Sequence, residues 1–225
     1  WRAFKNTLLL NFKYLIIIFP LTLIFALLLN EVKNVHFKKI VQTISYLPHF
    51  ISMVIVAGMV REILSTSGPI NNLITKLGGE AVTFISLPEW FTTIFVTTGV
   101  WQGLLAAMSG INTELYEAAE LDGANRFQQC LHVTIPAILP TISTLLVLNI
   151  GSLCGSAAFE KVFLLYTPTT YETADIIATY VYRMGLGSGN YSYATAVGLF
   201  QGVINLVLLT VANKVSSWLT GSGLW

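Results

Sequence analysis

Five stretches of this chain carry no Asp, Glu, Lys or Arg: Tyr14–Asn30, Ile40–Val60, Trp90–Thr113, Val133–Phe159 and Met184–Asn213. A helix of ~17 residues or more can cross the ~30 Å hydrocarbon layer of a bilayer, and every one of these runs reaches that length. A buried helix of a soluble bundle rarely stays apolar beyond ~14 residues without a charged face. Strands of a membrane β-barrel would alternate over ~10 residues, whereas these runs are continuous. Only 10% of the 225 residues are charged and 54% are hydrophobic, against about 25% charged in an average soluble domain. The expected fold is therefore all-α: one polytopic helical membrane domain over 1–225, with five transmembrane helices near 8–30, 40–62, 90–112, 138–159 and 191–214. The chain opens on Trp1 with no cationic leader and cleavage site, which reads as part of a longer protein with a preceding span.

The spans lack most of what would make the chain act alone. An ion- or proton-coupled transporter normally places ionisable groups inside the membrane, and none of the five runs holds an acid. No phosphate-binding G-x-x-x-x-G-K-[ST] loop is present, so the chain is not its own ATPase; Gly185-Leu186-Gly187-Ser188-Gly189 has neither the lysine nor a preceding strand. No nucleophile, base and orienting acid stand together within the spans, and no metal-ligand spacing occurs. No catalytic or metal-binding residue is thus assigned, and Cys130 and Cys154 are too far apart for a C-x-x-C pair. With a net charge of +1 and no basic cluster, the chain shows no nucleic-acid footprint. A passive channel stays open as an alternative, although no charged ring or carbonyl filter is evident.

With five spans, 31–39, 113–132 and the C-terminus share one face, and 64–89 and 161–189 share the other. The first face holds Lys33, Lys38, Lys39, Arg126 and Lys214. The second holds Arg2, Lys5, Lys13, Arg61, Lys76, Lys161 and Arg183, so the lysine and arginine rule does not orient the chain. In 64–89, Ile70, Leu73, Ile74 and Leu77 follow Pro69 with amphipathic helical spacing, and Ile176, Ile177, Tyr180 and Val181 repeat the pattern in Thr173–Arg183. Both could lie at the membrane interface or meet a soluble partner.

Between the third and fourth spans, Glu114, Glu117, Glu120 and Asp122 put four acids in nine residues of a chain with eleven in all. Asn112-Thr113 can cap a helix there, the acids suit its first turns, and Gly123 can end it. Phe127, Leu131 and Ile135 then lead to Pro136 and Pro140, which mark re-entry into the membrane. Ala118 and Ala119 leave one face small, as a helix seated in a partner's groove requires. On physical grounds alone, a wet loop helix and a docking helix fit equally well.

The spacing Glu117-Ala118-Ala119, Gly123, then Val133-Thr134-Ile135-Pro136 resembles the coupling motif of permease subunits of binding-protein-dependent ABC importers. Asp122-Gly123-Ala124, Tyr46-Leu47-Pro48 and Phe159-Glu160-Lys161-Val162-Phe163-Leu164-Leu165-Tyr166 are similar to the carbohydrate-uptake branch. The likeness runs over essentially the whole chain, and its C-terminal part looks most like permeases for oligosaccharides released from polysaccharides. Ala157-Ala158-Phe159 departs from it, since such permeases more often have Gly just before the Phe.

The resemblance implies a multi-pass subunit of the bacterial cytoplasmic (inner) membrane. It would form half of an alternating-access pathway with a second, homologous permease. A cytosolic ATPase dimer, binding the ATP and Mg that this chain does not, would drive it through segment 113–137. Segments 64–89 and 161–189 would then face outward, toward a solute-binding protein. The implied ATPase-coupling residues are Glu117, Ala118, Ala119, Asp122, Gly123 and Arg126. Sugars need hydrogen-bonding groups for their hydroxyls and aromatic rings for their C–H faces, so Trp101, Gln102, Asn149, Ser152, Phe159 and Gln201 are the substrate-path candidates. A permease for a non-sugar solute remains the alternative.

Overall fold

The computed structural model of the protein describes residues 1–32, 34–103, 125–221 and 223–224, and among them every regular element is helical. Among the described residues, three helices are long and apolar enough to cross a membrane: α1 (Arg2–Asn30), α6 (Arg126–Gly151) and α10 (Tyr191–Thr220). They leave large apolar side chains outward, among them Ile16, Leu21, Ile24 and Leu28 on α1 and Leu199, Val203, Leu206 and Val207 on α10. Such faces suit lipid, where apolar exposure carries no cost.

The second charge-free run is not one helix. α2 (Val35–Phe50) stops and α3 (Met53–Ile63) restarts, so the span expected over 40–62 has a break. Ser52 is extended there, with φ −61° and ψ 146°, and its hydroxyl accepts from the Ile55 amide as the cap of α3. α4 (Pro69–Lys76) follows with Pro69 in its first turn, as the sequence suggests. α5 (Pro88–Gly103) is the described part of the third expected span.

The fourth span is displaced. Its helix begins at Arg126, well before 138, and ends at Gly151 rather than 159. Within α6, residues Cys130–Thr134 form a wider π turn in which the Ile135 amide reaches back to the Cys130 carbonyl. That turn lies directly before Pro136, whose ring cannot donate to the helix ladder. α6 stops because α10 supplies other partners: Asn205 accepts from the Cys154 amide at 3.0 Å, and the Gln201 amide nitrogen donates to the Cys154 carbonyl. The chain then turns through Ser156–Ala158 into α7 (Phe159–Leu165), α8 (Tyr171–Ala174), and α9 (Ile177–Tyr182) with a π turn at Arg183–Gly187. The amphipathic run expected at Thr173–Arg183 is thus broken at Asp175-Ile176. α10 extends beyond the expected 214 to Thr220, where Gly221 takes the left-handed conformation, φ +66°, that glycine tolerates.

The core lies around α5. Phe91, Ile94, Phe95 and Val96 pack with Leu10 of α1, Ala57 of α3, Val162 and Leu165 of α7, and Ile176. Irregular backbone around this core is satisfied by side chains, as low-dielectric surroundings demand. Asn71 is fully buried; its amide nitrogen donates to the Ser65 and Val82 carbonyls at 2.8 and 2.9 Å, and its oxygen accepts from the Val82 amide at 2.7 Å. Asn6 donates to the carbonyls of Glu172 and Asp175, while Thr7 accepts from the Ile177 amide. Arg61 donates to the Leu164 carbonyl. At the other end of α1, Glu31 pairs with Arg126 at 3.4 Å.

Candidate functional site

The break after α6 brings α7, α9 and the first half of α10 around a cavity of about 440 Å³. Aromatic side chains Phe159, Tyr182 and Tyr191 form much of its wall, and Ser156, Thr195 and Gln201 contribute neutral polar groups. No ionisable acid or base lines it among the described residues. Close approach of α9 to α10 depends on Gly185, where a Cβ would lie 3.0 Å from the Ala194 methyl. The set suits a ligand with hydroxyls to bond and C–H faces to stack, and nothing in it is arranged to break a covalent bond.

Phe159 and Gln201, two of the six substrate-path candidates, meet in this cavity. Gln201 already donates to Cys154, so its free acceptor oxygen is what it can offer a ligand. Asn149 and Ser152 sit together at the exposed end of α6 instead. The Asn149 amide donates to the Leu145 carbonyl at 2.7 Å and the Ser152 hydroxyl to the Asn149 carbonyl at 3.1 Å, which uses the Ser152 donor and one of the two Asn149 N–H groups locally. Trp101 and Gln102 fall in the last turn of α5, and their side chains lie outside what is described. The coupling candidates Glu117, Ala118, Ala119, Asp122 and Gly123 also lie outside the described residues. Arg126 is described: it opens α6 after an Asn125–Gln128 capping box and holds Glu31, with both side chains partly exposed.

Sequence reasoning passed over Tyr182 and Tyr191, although the Tyr180-Val181-Tyr182 run marks the first of them. It also placed Lys161 in an outward segment. In the fold Lys161 is only 6% exposed, its Nζ over the rings of Phe95 at 4.2 Å and Tyr14 at 4.9 Å. No carboxylate pairs with it among the described residues; aromatic faces partly replace water for the cation. Gly99 makes the space, since a Cβ there would stand 2.1 Å from the Tyr14 ring and 2.8 Å from Nζ.

Beside the cavity, Asp175 is 2% exposed and takes Arg183 in a two-pronged ion pair at 3.1 and 2.8 Å, with the Thr179 hydroxyl donating to the same carboxylate. That hydrogen bonding raises the Arg183 pKa above its ordinary value, keeping it charged. Its guanidinium also lies over Tyr171 at 4.7 Å.

A family model described as "Binding-protein-dependent transport system inner membrane component" matches residues 12–220. The polygalacturonan/rhamnogalacturonan transport system permease protein YteP of Bacillus subtilis (strain 168) is 42% identical over 98% of this chain and 71% of its own length. Protein LplB of the same organism is 41% identical over 100% of this chain and 73% of its own. A crystallised bacterial alginate ABC transporter, solved in complex with its alginate pentasaccharide-bound periplasmic protein, contains a chain that superposes with TM-score 0.92 at 45% identity, over 99% of this chain and 80% of that one. With nearly the whole chain matched and the fold shared, the protein belongs to the inner membrane components of binding-protein-dependent transport systems.

Proposed function

We propose that this permease forms half of an ATP-driven import pathway for oligosaccharides in a bacterial cytoplasmic membrane. The observation that carries the reading is the cavity itself: aromatic rings from Phe159, Tyr182 and Tyr191 beside the uncharged polar groups of Ser156, Thr195 and Gln201. Pyranose and furanose units present both a C–H face and hydroxyls, which this wall complements. Relatives named for polygalacturonan/rhamnogalacturonan and for arabinooligosaccharide transport support the same class. A second, homologous permease supplies the other half, and an extracytoplasmic binding protein delivers the sugar.

Power comes from a separate ATPase dimer that binds ATP and Mg. Glu117, Ala118, Ala119 and Gly123 make the contacts that couple it to this chain, supported by Asp122 and Arg126. Trp101, Gln102, Asn149 and Ser152 complete the path with Phe159 and Gln201. The test is reconstitution of the permease pair, ATPase and binding protein in proteoliposomes, measuring ATP-dependent uptake of labelled galacturonate and arabinan oligosaccharides. Accumulation that stops when ATP is withheld is the expected result; a complex that hydrolyses ATP with binding protein present but takes up none of these sugars would overturn the sugar assignment.

A further inference from the structure

α7 has two different faces. Ala158, Val162 and Leu165, at i, i+4 and i+7, enter the core. Phe159, Phe163 and Tyr166 have the same spacing one residue on; Phe159 and Phe163 stay outside that core and Tyr166 packs against its edge, together making a continuous aromatic row with ring centroids 5.3 and 5.8 Å apart. Tyr182 joins the row edge-on, 5.0 Å from Phe163 and 5.4 Å from Phe159. Phe163 is 36% exposed and Tyr182 is 40% exposed. The row starts in the cavity at Phe159 and ends where Tyr166 meets Tyr171, 5.0 Å away, under the Arg183 guanidinium.

Lipid does not explain this exposure. α7 is seven residues long, too short to span, and it carries the exposed carboxylate Glu160 within the row's own stretch. Exposed rings continuous with a cavity are a stacking surface in search of a ligand with apolar faces.

We propose that Phe163, flanked by Tyr166, forms a second sugar-stacking subsite just outside the cavity, over which an oligosaccharide continues once its leading units occupy the wall at Phe159 and Tyr182. This rests on the oligosaccharide reading above. From Phe159 to Leu165 the helix rises about 9 Å, longer than one sugar ring, so the subsite is felt only by substrates with more than the units the cavity holds. It thereby sets a preference for chain length.

The test compares wild type and Phe163→Leu in the complete reconstituted complex, with galacturonate and arabinan oligosaccharides of two to five units. Leucine keeps the surface apolar and removes the ring, and Phe163→Tyr is the control that keeps it. Uptake of the longest transported oligomer is expected to fall about tenfold in Phe163→Leu, as loss of one aromatic contact would give, with disaccharide uptake changed less than about twofold and Phe163→Tyr near wild type. An equal fall at every length, or no fall at any, overturns the subsite. Loss of the second permease from purified Phe163→Leu complexes overturns it too, because the row is then a subunit contact. Wild type that transports no oligosaccharide of any length sinks the sugar reading, and the subsite with it.

Discussion

Gly99 is the tightest single position in the described core. An added methyl would overlap the Tyr14 ring and press on the Lys161 ammonium at once, and neither can retreat, because Tyr14 also packs on Phe95, with ring centroids 5.6 Å apart. Gly99→Ala is expected to destabilise the protein by about 1–3 kcal/mol through overpacking, measured as a lower thermal unfolding midpoint in detergent; an unchanged midpoint would show that α1 and α5 can separate freely. Asp175 carries a different risk. Its partner Arg183 is one-third exposed, so the pair is partly screened, but the carboxylate is nearly inaccessible and also holds Thr179. Asp175→Asn removes the charge that fixes Arg183 and is expected to cost about 2 kcal/mol, read in the same melt; Arg183→Lys should cost less, since one contact survives.

At the level of elements, charge-free runs locate helices but not their ends. α1 and α10 were legible because nothing interrupts them: Pro20 lies inside α1 and Gly198 and Gly202 inside α10 without breaking either. α4 was legible from Pro69 and its apolar spacing. The stops at Phe50 and Gly151 were not, and the reasons differ. Ser52 is a local cap, and a serine within an apolar run reads equally well as helix interior. The end of α6 is decided by Asn205 and Gln201, some fifty residues later in the chain, so no local pattern could place it. The cavity was half legible for the same reason: Phe159 and Gln201 were singled out by chemistry, whereas Tyr182 and Tyr191 needed the turn after Gly151 to bring them near. Asn205→Leu should leave the part-buried Cys154 amide without a partner and cost about 1–3 kcal/mol. Faster protease cleavage between 152 and 158 is the expected sign, and wild-type cleavage would assign the break to the backbone alone.

At the scale of the whole molecule, the least ordinary sequence is the acid-rich run 114–122, the segment proposed to couple the permease to its ATPase. Gly123→Arg places a long cation where the proposed coupling contact calls for a small residue. ATP-dependent uptake is expected to fall to background while the permease still inserts in the membrane; normal uptake would remove Gly123 from the coupling contacts. The two ends of α1 bear on how such a push would travel. Twenty-nine residues of helix make a rod of about 43 Å, pinned at one end by Asn6 and Thr7 to the backbone of 172–177 and at the other by Glu31 to Arg126. The pins are unequal. The first is three hydrogen bonds to backbone in a largely buried setting, together worth several times the exposed ion pair, which contributes at most about 1 kcal/mol. When the rod is levered, the Glu31–Arg126 end lets go first and the Asn6 end becomes the fulcrum. A Glu31→Cys/Arg126→Cys pair, once oxidised, should therefore arrest uptake reversibly, whereas uptake that continues through the cross-link would show that this end never parts.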